Sequence, residues 1–178
     1  VPMNLLRGGK ADYIVTGNFS NKAAKEVQKY GTVHIAYDGK DNGYSHIPSQ
    51  EELDLSEDAR YVHLCSNNTI YGTEWKKYPD VKEKILVGDL SSDILSRRIN
   101  VKDFGLIYAG AQKNIGIAGI AVVIIRKDLI GECLPNTPDI LSYGLMAKHD
   151  SMLNTPATYP IYVLGKVLKW IQDCGGID

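Results

Sequence analysis

The chain predicts an α/β fold, a mostly parallel sheet with flanking helices, and three observations carry that expectation. Short β-rich runs alternate with stretches of helical periodicity. Tyr61 to Cys65, Ile85 to Val87 and Leu106 to Ala109 are continuously apolar, the pattern of strands buried on both faces. Each of these three runs ends in a small or polar cluster, and in open α/β sheets ligands collect at such strand ends.

The elements follow in order. Tyr13 to Thr16 reads as the first strand, closed by Gly17. Ser20 is placed as the N-cap of a helix over Lys22 to Tyr30, where Ala23, Ala24, Val27 and Tyr30 form one stripe. Gly31 ends that helix and Val33 to Tyr37 is the next strand, which completes a βαβ unit. Asp38 to Asp58 is polar, with Gly39, Gly43 and Pro48, and reads as a loop with one short helical turn near Glu51 to Leu53. The three buried strands come next. Ala118 to Ile125 adds another, and Pro160 to Gln172 carries Ile161, Val163, Leu164, Val167, Leu168 and Ile171 at helical spacing.

Composition narrows the function. The 178 residues are 44% hydrophobic and 23% charged, with 20 basic and 21 acidic side chains and a net charge of -1. Without a basic cluster there is no electrostatic footprint for nucleic acid, and no apolar run reaches the ~18 residues of a bilayer span. Cys65, Cys133 and Cys174 are odd in number and form no CxxC pair, so a reducing, cytoplasmic setting is expected, with Cys65 as a small buried hydrophobe. His34, His46, His63 and His149 make no metal-binding constellation. Val1 is not an initiator Met, and the chain stops after a helix and its glycines, which suggests a fragment.

Thr69, Asp89 and Lys113 each lie within a few residues of the end of a buried run, so one sheet would deliver them to a common rim. Taken singly, each has a structural reading. Asp89 could cap a following helix through Ser91 and Ser92, Lys113 could be a solvated charge, and Thr69 could close a turn with Gly72. Together they meet a chemical demand. A lysine within Ala109-Gly110-Ala111-Gln112-Lys113-Asn114-Ile115-Gly116 can be partly desolvated and made nucleophilic toward an aldehyde. Pyridoxal phosphate needs a carboxylate to keep its ring nitrogen protonated, and Asp89 is the candidate. The 24 positions from Asp89 to Lys113 fit one crossover and the next strand.

The segments Tyr108 to Gly116 and Gly88-Asp89-Leu90-Ser91-Ser92-Asp93-Ile94-Leu95-Ser96 resemble the cofactor-lysine and aspartate segments of phosphoserine aminotransferases. The resemblance extends over Val1 to Leu6, Val15 to Ser20, Cys65 to Thr69, Asn154-Thr155-Pro156 and Trp170-Ile171. It implies the large domain of a fold-type I pyridoxal 5'-phosphate enzyme that exchanges the amino group of O-phospho-L-serine with 2-oxoglutarate, in serine biosynthesis. Another fold-type I transaminase, or a non-catalytic interaction form of the chain, are the rival readings.

By the same resemblance, Lys113 binds the cofactor covalently and then moves the proton at the substrate α-carbon. Asp89 pairs with the ring nitrogen, Thr69 bonds near the phenolic oxygen, and Gln112 reaches the phosphate. Asn154 and Thr155 reach the phosphate of the neighbouring subunit's cofactor, which implies a homodimer with shared sites. Phe19 stands where the family usually has a stacking Trp, and Asn68 where it often has Glu. The resemblance also implies an N-terminal segment and a C-terminal small domain, carrying the substrate contacts, outside residues 1 to 178.

Overall fold

Within the computed structural model, which describes residues 1–177, the chain runs α1 (Pro2–Leu5), β1 (Lys10–Val15), α2 (Asn18–Val27), β2 (Thr32–Asp38), β3 (Ala59–Cys65), β4 (Asn67–Asn68), β5 (Thr73–Glu74), β6 (Ile85–Asp89), β7 (Leu106–Gly110), β8 (Ala121–Ile125), α3 (Tyr143–Lys148) and α4 (Thr158–Asp173). Six strands form one sheet in the order β2-β1-β3-β6-β7-β8, and β4 and β5 pair as a separate antiparallel ribbon. Every pairing in the large sheet is parallel except β7 with β8. The mostly parallel sheet is as expected, and β1-α2-β2 is the expected βαβ unit.

The continuous apolar runs are buried on both sides for the reason inferred. Successive side chains along a strand point to opposite faces, and here each face has its own core. Val62, Leu64, Leu86, Ile107 and Ala109 pack with Trp75, Leu90, Phe104 and Ile115 on one side. Tyr13, Val15, Tyr61, Val87 and Leu106 pack with Leu5, Leu6, Ala24 and Val27 on the other. Residues 1–6 and α2 therefore cover one face of the sheet. Asn4, itself buried, fastens a distant segment there: its amide donates to the Leu141 carbonyl and accepts from the Tyr143 N–H, both at 2.8 Å.

Several expectations need correction. Helix α2 begins at Asn18, not Lys22, with Gly17 as its N-cap, so Ser20 sits inside the first turn. Its hydroxyl nevertheless does the capping work by reaching back: it accepts from the Thr16 and Gly17 N–H groups and donates to the Gly17 carbonyl, each at 3.0 Å. The loop between β2 and β3 holds two 3-10 turns, Gly39–Asn42 and Gln50–Glu52, rather than one. The last strand begins at Ala121 and runs antiparallel.

No α-helix lies between β6 and β7; the crossover is a series of turns with a 3-10 turn at Val101–Asp103. Ser91 and Ser96 turn their hydroxyls onto Asp89 and the Asp93 carbonyl, local bonds that compete with a helical ladder. Leu95 takes a left-handed conformation with φ of 61°, which no helix accommodates. Helix α4 extends two residues before and one residue after its expected span, yet none of its residues is buried; Ile161, Tyr162, Leu168 and Trp170 are exposed. Among the described residues no helix is long and apolar enough to cross a membrane.

Ser20→Ala leaves two buried N–H groups without their acceptor at the point where β1 turns into α2. A loss of about 1–3 kcal/mol in unfolding free energy is expected, measured by denaturant titration. A loss within ~0.5 kcal/mol, the ordinary range for a surface substitution, would show that the hydroxyl does not hold this turn.

Candidate functional site

The site begins with strand register. Cys65 of β3 lies opposite Asp89 of β6, and Asp89 lies opposite Tyr108 of β7. Register partners present their side chains to the same face of a sheet. The three side chains thus stand in a row at the carboxyl ends of neighbouring parallel strands. His63, two residues earlier on β3, shares that face, and Tyr13 of β1 lies opposite it.

Asp89 is half-buried. Its Oδ1 accepts from the Ser91 N–H at 3.0 Å and the Ser91 hydroxyl at 2.6 Å. The Cys65 thiol is a long 3.9 Å from Oδ2. Asp89 therefore closes a two-residue turn; it does not cap a helix, because none follows. Ser91 ties this turn to the next strand end by accepting from the Gly110 N–H at 3.0 Å. Cys65 is buried, and burial, with the Asp89 charge second, pushes its thiol pKa well up, so it is the inert hydrophobe expected.

Lys113 lies three residues beyond β7 and is exposed. Its Nζ donates to Thr69 Oγ1 at 2.7 Å and lies 5.2 Å from the centre of the Phe19 ring, within cation–π range. Thr69 follows β4 in the turn of the small ribbon, and Phe19 is in the first turn of α2, 47% exposed. The Lys113 ammonium thus joins three separate pieces of chain. Neither a freely solvated lysine nor a Thr69 serving only its own turn describes this arrangement.

The approach of α2 to the Thr69 turn has a local cause. Buried Asn68 accepts from the Thr16 hydroxyl at 3.2 Å and donates to Thr73 Oγ1 at 3.1 Å. A side chain at Gly17 would place its Cβ 2.8 Å from Asn68 Oδ1, so only glycine permits this closeness. A glutamate at position 68 could accept from Thr16 but, ionised, could not donate to Thr73. The amide suits both contacts.

Gln112 is exposed beside Gly110, whose missing side chain leaves it room. Asn154 and Thr155 are exposed in the link between α3 and α4, and among the described residues neither bonds to the Lys113 cluster. The structure thus brings together Phe19, Thr69 and Lys113 by direct contact and places Asp89 and Gln112 at the same strand ends. It leaves Asn154 and Thr155 apart.

Sequence reasoning missed the layer behind Asp89. The His63 Nε2 lies 2.9 Å from the Tyr108 hydroxyl, and the His63 ring stacks on Tyr13 at 4.6 Å. His63 is 1% exposed, and among the described residues its Nδ1 has no hydrogen-bond partner. Burial lowers the His63 pKa to about 4. Their signal was present, since His63 and Cys65 are two apart in one strand, but using it required the pairing of β3 with β6. A cavity of about 310 Å³ lined by Tyr13, His63, Tyr108, Val123 and Tyr143 adjoins this layer. A larger, apolar cavity of about 650 Å³, lined by Ile94, Ile107, Ile115, Val122 and Leu164 among others, includes none of the expected site residues.

The neutral buried His63 has a consequence for stability. Between pH ~6.5, the ordinary value for histidine, and about 4 the unfolded chain binds a proton that the folded chain refuses, so stability falls as pH falls through this window. The loss expected from this residue is up to about 3 kcal/mol, read from denaturant midpoints between pH 7 and pH 4.5, and a His63→Leu variant should show a correspondingly shallower slope. An identical slope in wild type and variant would remove His63 as its source.

The family model for class-V aminotransferases matches residues 1–177. A phosphoserine aminotransferase of Lysinibacillus sphaericus is 51% identical over 178 residues, covering 99% of this chain and 49% of its relative. That of Paraburkholderia phymatum is 48% identical over 179 residues, covering 99% and 50%. Among solved structures, phosphoserine aminotransferase from Bacillus circulans subsp. alkalophilus superposes with a TM-score of 0.94 at 44% identity, over 99% of this chain and 49% of that one. The PLP-bound enzyme from Trichomonas vaginalis does so at 0.92 and 40%, over 99% and 53%. An alanine–glyoxylate aminotransferase from Nostoc sp., at 0.79 and 18%, shares the fold, over 97% and 50%. The chain spans about half the length of the curated relatives it matches.

Proposed function

Because the chain belongs to the class-V aminotransferase family, we propose that it is the cofactor-binding large domain, residues 1–178, of a phosphoserine aminotransferase. The reaction exchanges the amino group of O-phospho-L-serine with 2-oxoglutarate, giving 3-phosphooxypyruvate and L-glutamate in L-serine biosynthesis. The observation that carries this reading is the convergence of Lys113 on Thr69 and the Phe19 ring, at the strand ends that also carry Asp89, on a chain about half identical to phosphoserine aminotransferases along its length.

The residues fit pyridoxal 5'-phosphate. Both Ser91 donors fall on one oxygen of Asp89, which leaves lone pairs on the other oxygen to accept from a ring N–H. Phe19 offers an exposed flat face beside the lysine amine. When bound, the cofactor supplies the electron sink that amino-group transfer needs. Lys113 Nζ would hold the cofactor at its aldehyde carbon and would carry the proton to and from the substrate α-carbon. Thr69 orients that amine through its 2.7 Å bond. Asp89 would hold the proton on the ring nitrogen, Phe19 would stack on the ring, and Gln112 would reach the phosphate.

Asn154 and Thr155, apart from this cluster, act on the site of a second subunit in a homodimer. Their exposure and the bare apolar side chains of α4 support a reading in which further protein covers this region. The balanced charge and free cysteines accord with a cytoplasmic enzyme that acts on small molecules and binds neither nucleic acid nor membrane.

Adding pyridoxal phosphate to the complete protein should give the visible absorbance of lysine-bound cofactor, and Lys113→Ala should lose it; a band that persists in the variant would exclude Lys113. Phosphoserine-dependent glutamate formation should fall roughly a hundredfold or more in Asp89→Ala, with the cofactor band retained. Unchanged turnover would take Asp89 out of the role assigned to it, and no phosphoserine-dependent activity in the wild type would reject the substrate assignment.

A further inference from the structure

The polar layer behind Asp89 has more order than packing requires. His63, Tyr108 and Tyr13 occupy core positions where apolar residues would fill the space without polar atoms to satisfy. Hydrogen-bond accounting fixes the direction of the contacts. A neutral imidazole has one N–H and one lone pair. If the proton sat on Nδ1, the N–H would be buried with no acceptor among the described residues. An orphaned buried donor is the rarer and costlier arrangement. With the proton on Nε2, only a lone pair goes unused, and Nε2–H donates to the Tyr108 hydroxyl 2.9 Å away.

The Tyr108 oxygen is then an acceptor toward His63, and its own proton is free for another partner. Its register neighbours are Asp89 on β6 and Val123 on β8, and of these two side chains Asp89 is the one that can accept. Burial first, and next the Asp89 charge, keep the Tyr108 phenol protonated, as a donor must be. The stacked Tyr13 ring holds the imidazole plane, and Tyr13 is in turn held by the Tyr61 hydroxyl at 3.1 Å.

We propose that His63 and Tyr108 are positioning residues for Asp89: His63 Nε2–H donates to the Tyr108 oxygen, and the Tyr108 O–H donates to the Asp89 carboxylate. Ser91 grips the carboxylate from the turn and Tyr108 from β7, so it cannot rotate away from a ring nitrogen presented to it. The inference rests on the cofactor reading proposed above and deepens it: both residues act through Asp89. It acts through one atom of the cofactor, the ring nitrogen, and this makes it testable apart from activity.

The experiment compares the affinity of the complete protein for pyridoxal phosphate and for its 1-deaza analogue, in which a C–H replaces the ring nitrogen. Binding is read from the absorbance of the lysine-bound cofactor. In Tyr108→Phe, affinity for pyridoxal phosphate should fall about tenfold, the scale of one hydrogen bond to a charged group. Affinity for the deaza analogue should stay within about twofold of wild type, a difference of ~0.4 kcal/mol. In an Asp89→Asn background the same substitution should add no further loss. Should the orphaned imidazole destabilise Tyr108→Phe, the double variant His63→Leu/Tyr108→Phe removes both polar partners and should give the same contrast. Equal losses with the two cofactors, or no loss with either, would overturn the proposal while leaving the cofactor reading intact. Failure of the wild-type protein to bind pyridoxal phosphate would overturn both.

Discussion

The site depends on the in-register parallel pairing of β3, β6 and β7. That pairing sets Cys65, Asp89 and Tyr108 side by side at one edge of the sheet. A one-residue slip in any of the three strands would turn its side chain to the opposite face. Such a slip is costly because both faces are filled: Val62, Leu64, Leu86 and Ile107 belong to one core, and Tyr61, Val87 and Leu106 to the other. The hydrophobic effect therefore does more than hold the sheet together. By making register unambiguous, it places one carboxylate among specific neighbours and launches the segment that carries Lys113 from the adjacent strand end.

Two polar devices complete the rim. The Ser20 hydroxyl turns β1 into α2 and so sets the direction in which Phe19 leaves the sheet. Asn68 bridges Thr16 to Thr73 and brings the Thr69 turn against the glycine before that helix. Lys113 meets both products of this arrangement, the Phe19 ring and the Thr69 hydroxyl. The rim is thus built by short-range hydrogen bonds on a frame whose register comes from packing.

Much of this was legible in the sequence, and the rest was hidden for physical reasons. Continuous apolar runs disclosed β3, β6 and β7 because two-sided burial leaves no alternation. Thr69, Asp89 and Lys113 stood out because strand ends are where a parallel sheet exposes function. The direction of β8 was not legible, since periodicity reports burial and not orientation. The β6–β7 crossover lost its helix to the local bonds of Ser91 and Ser96 and to the left-handed Leu95, which depend on geometry more than composition. Ser91, Tyr108 and His63 could not be attached to Asp89 without knowing which strands are neighbours, and strand order is a property of the whole sheet. Helix α4 showed its apolar residues in sequence, yet none of them is fully buried, along a chain that spans about half the length of its curated relatives.

The central claim is that the strand ends converge on one cofactor, with Lys113 at its aldehyde carbon and Asp89 at its ring nitrogen. A crystal structure of the complete protein grown with pyridoxal phosphate tests it most directly. The account requires continuous density from Lys113 Nζ to the cofactor, the ring against Phe19, and an Asp89 oxygen within hydrogen-bond distance of the ring nitrogen. Density joined to a different lysine, or a ring whose nitrogen faces away from Asp89, would contradict it.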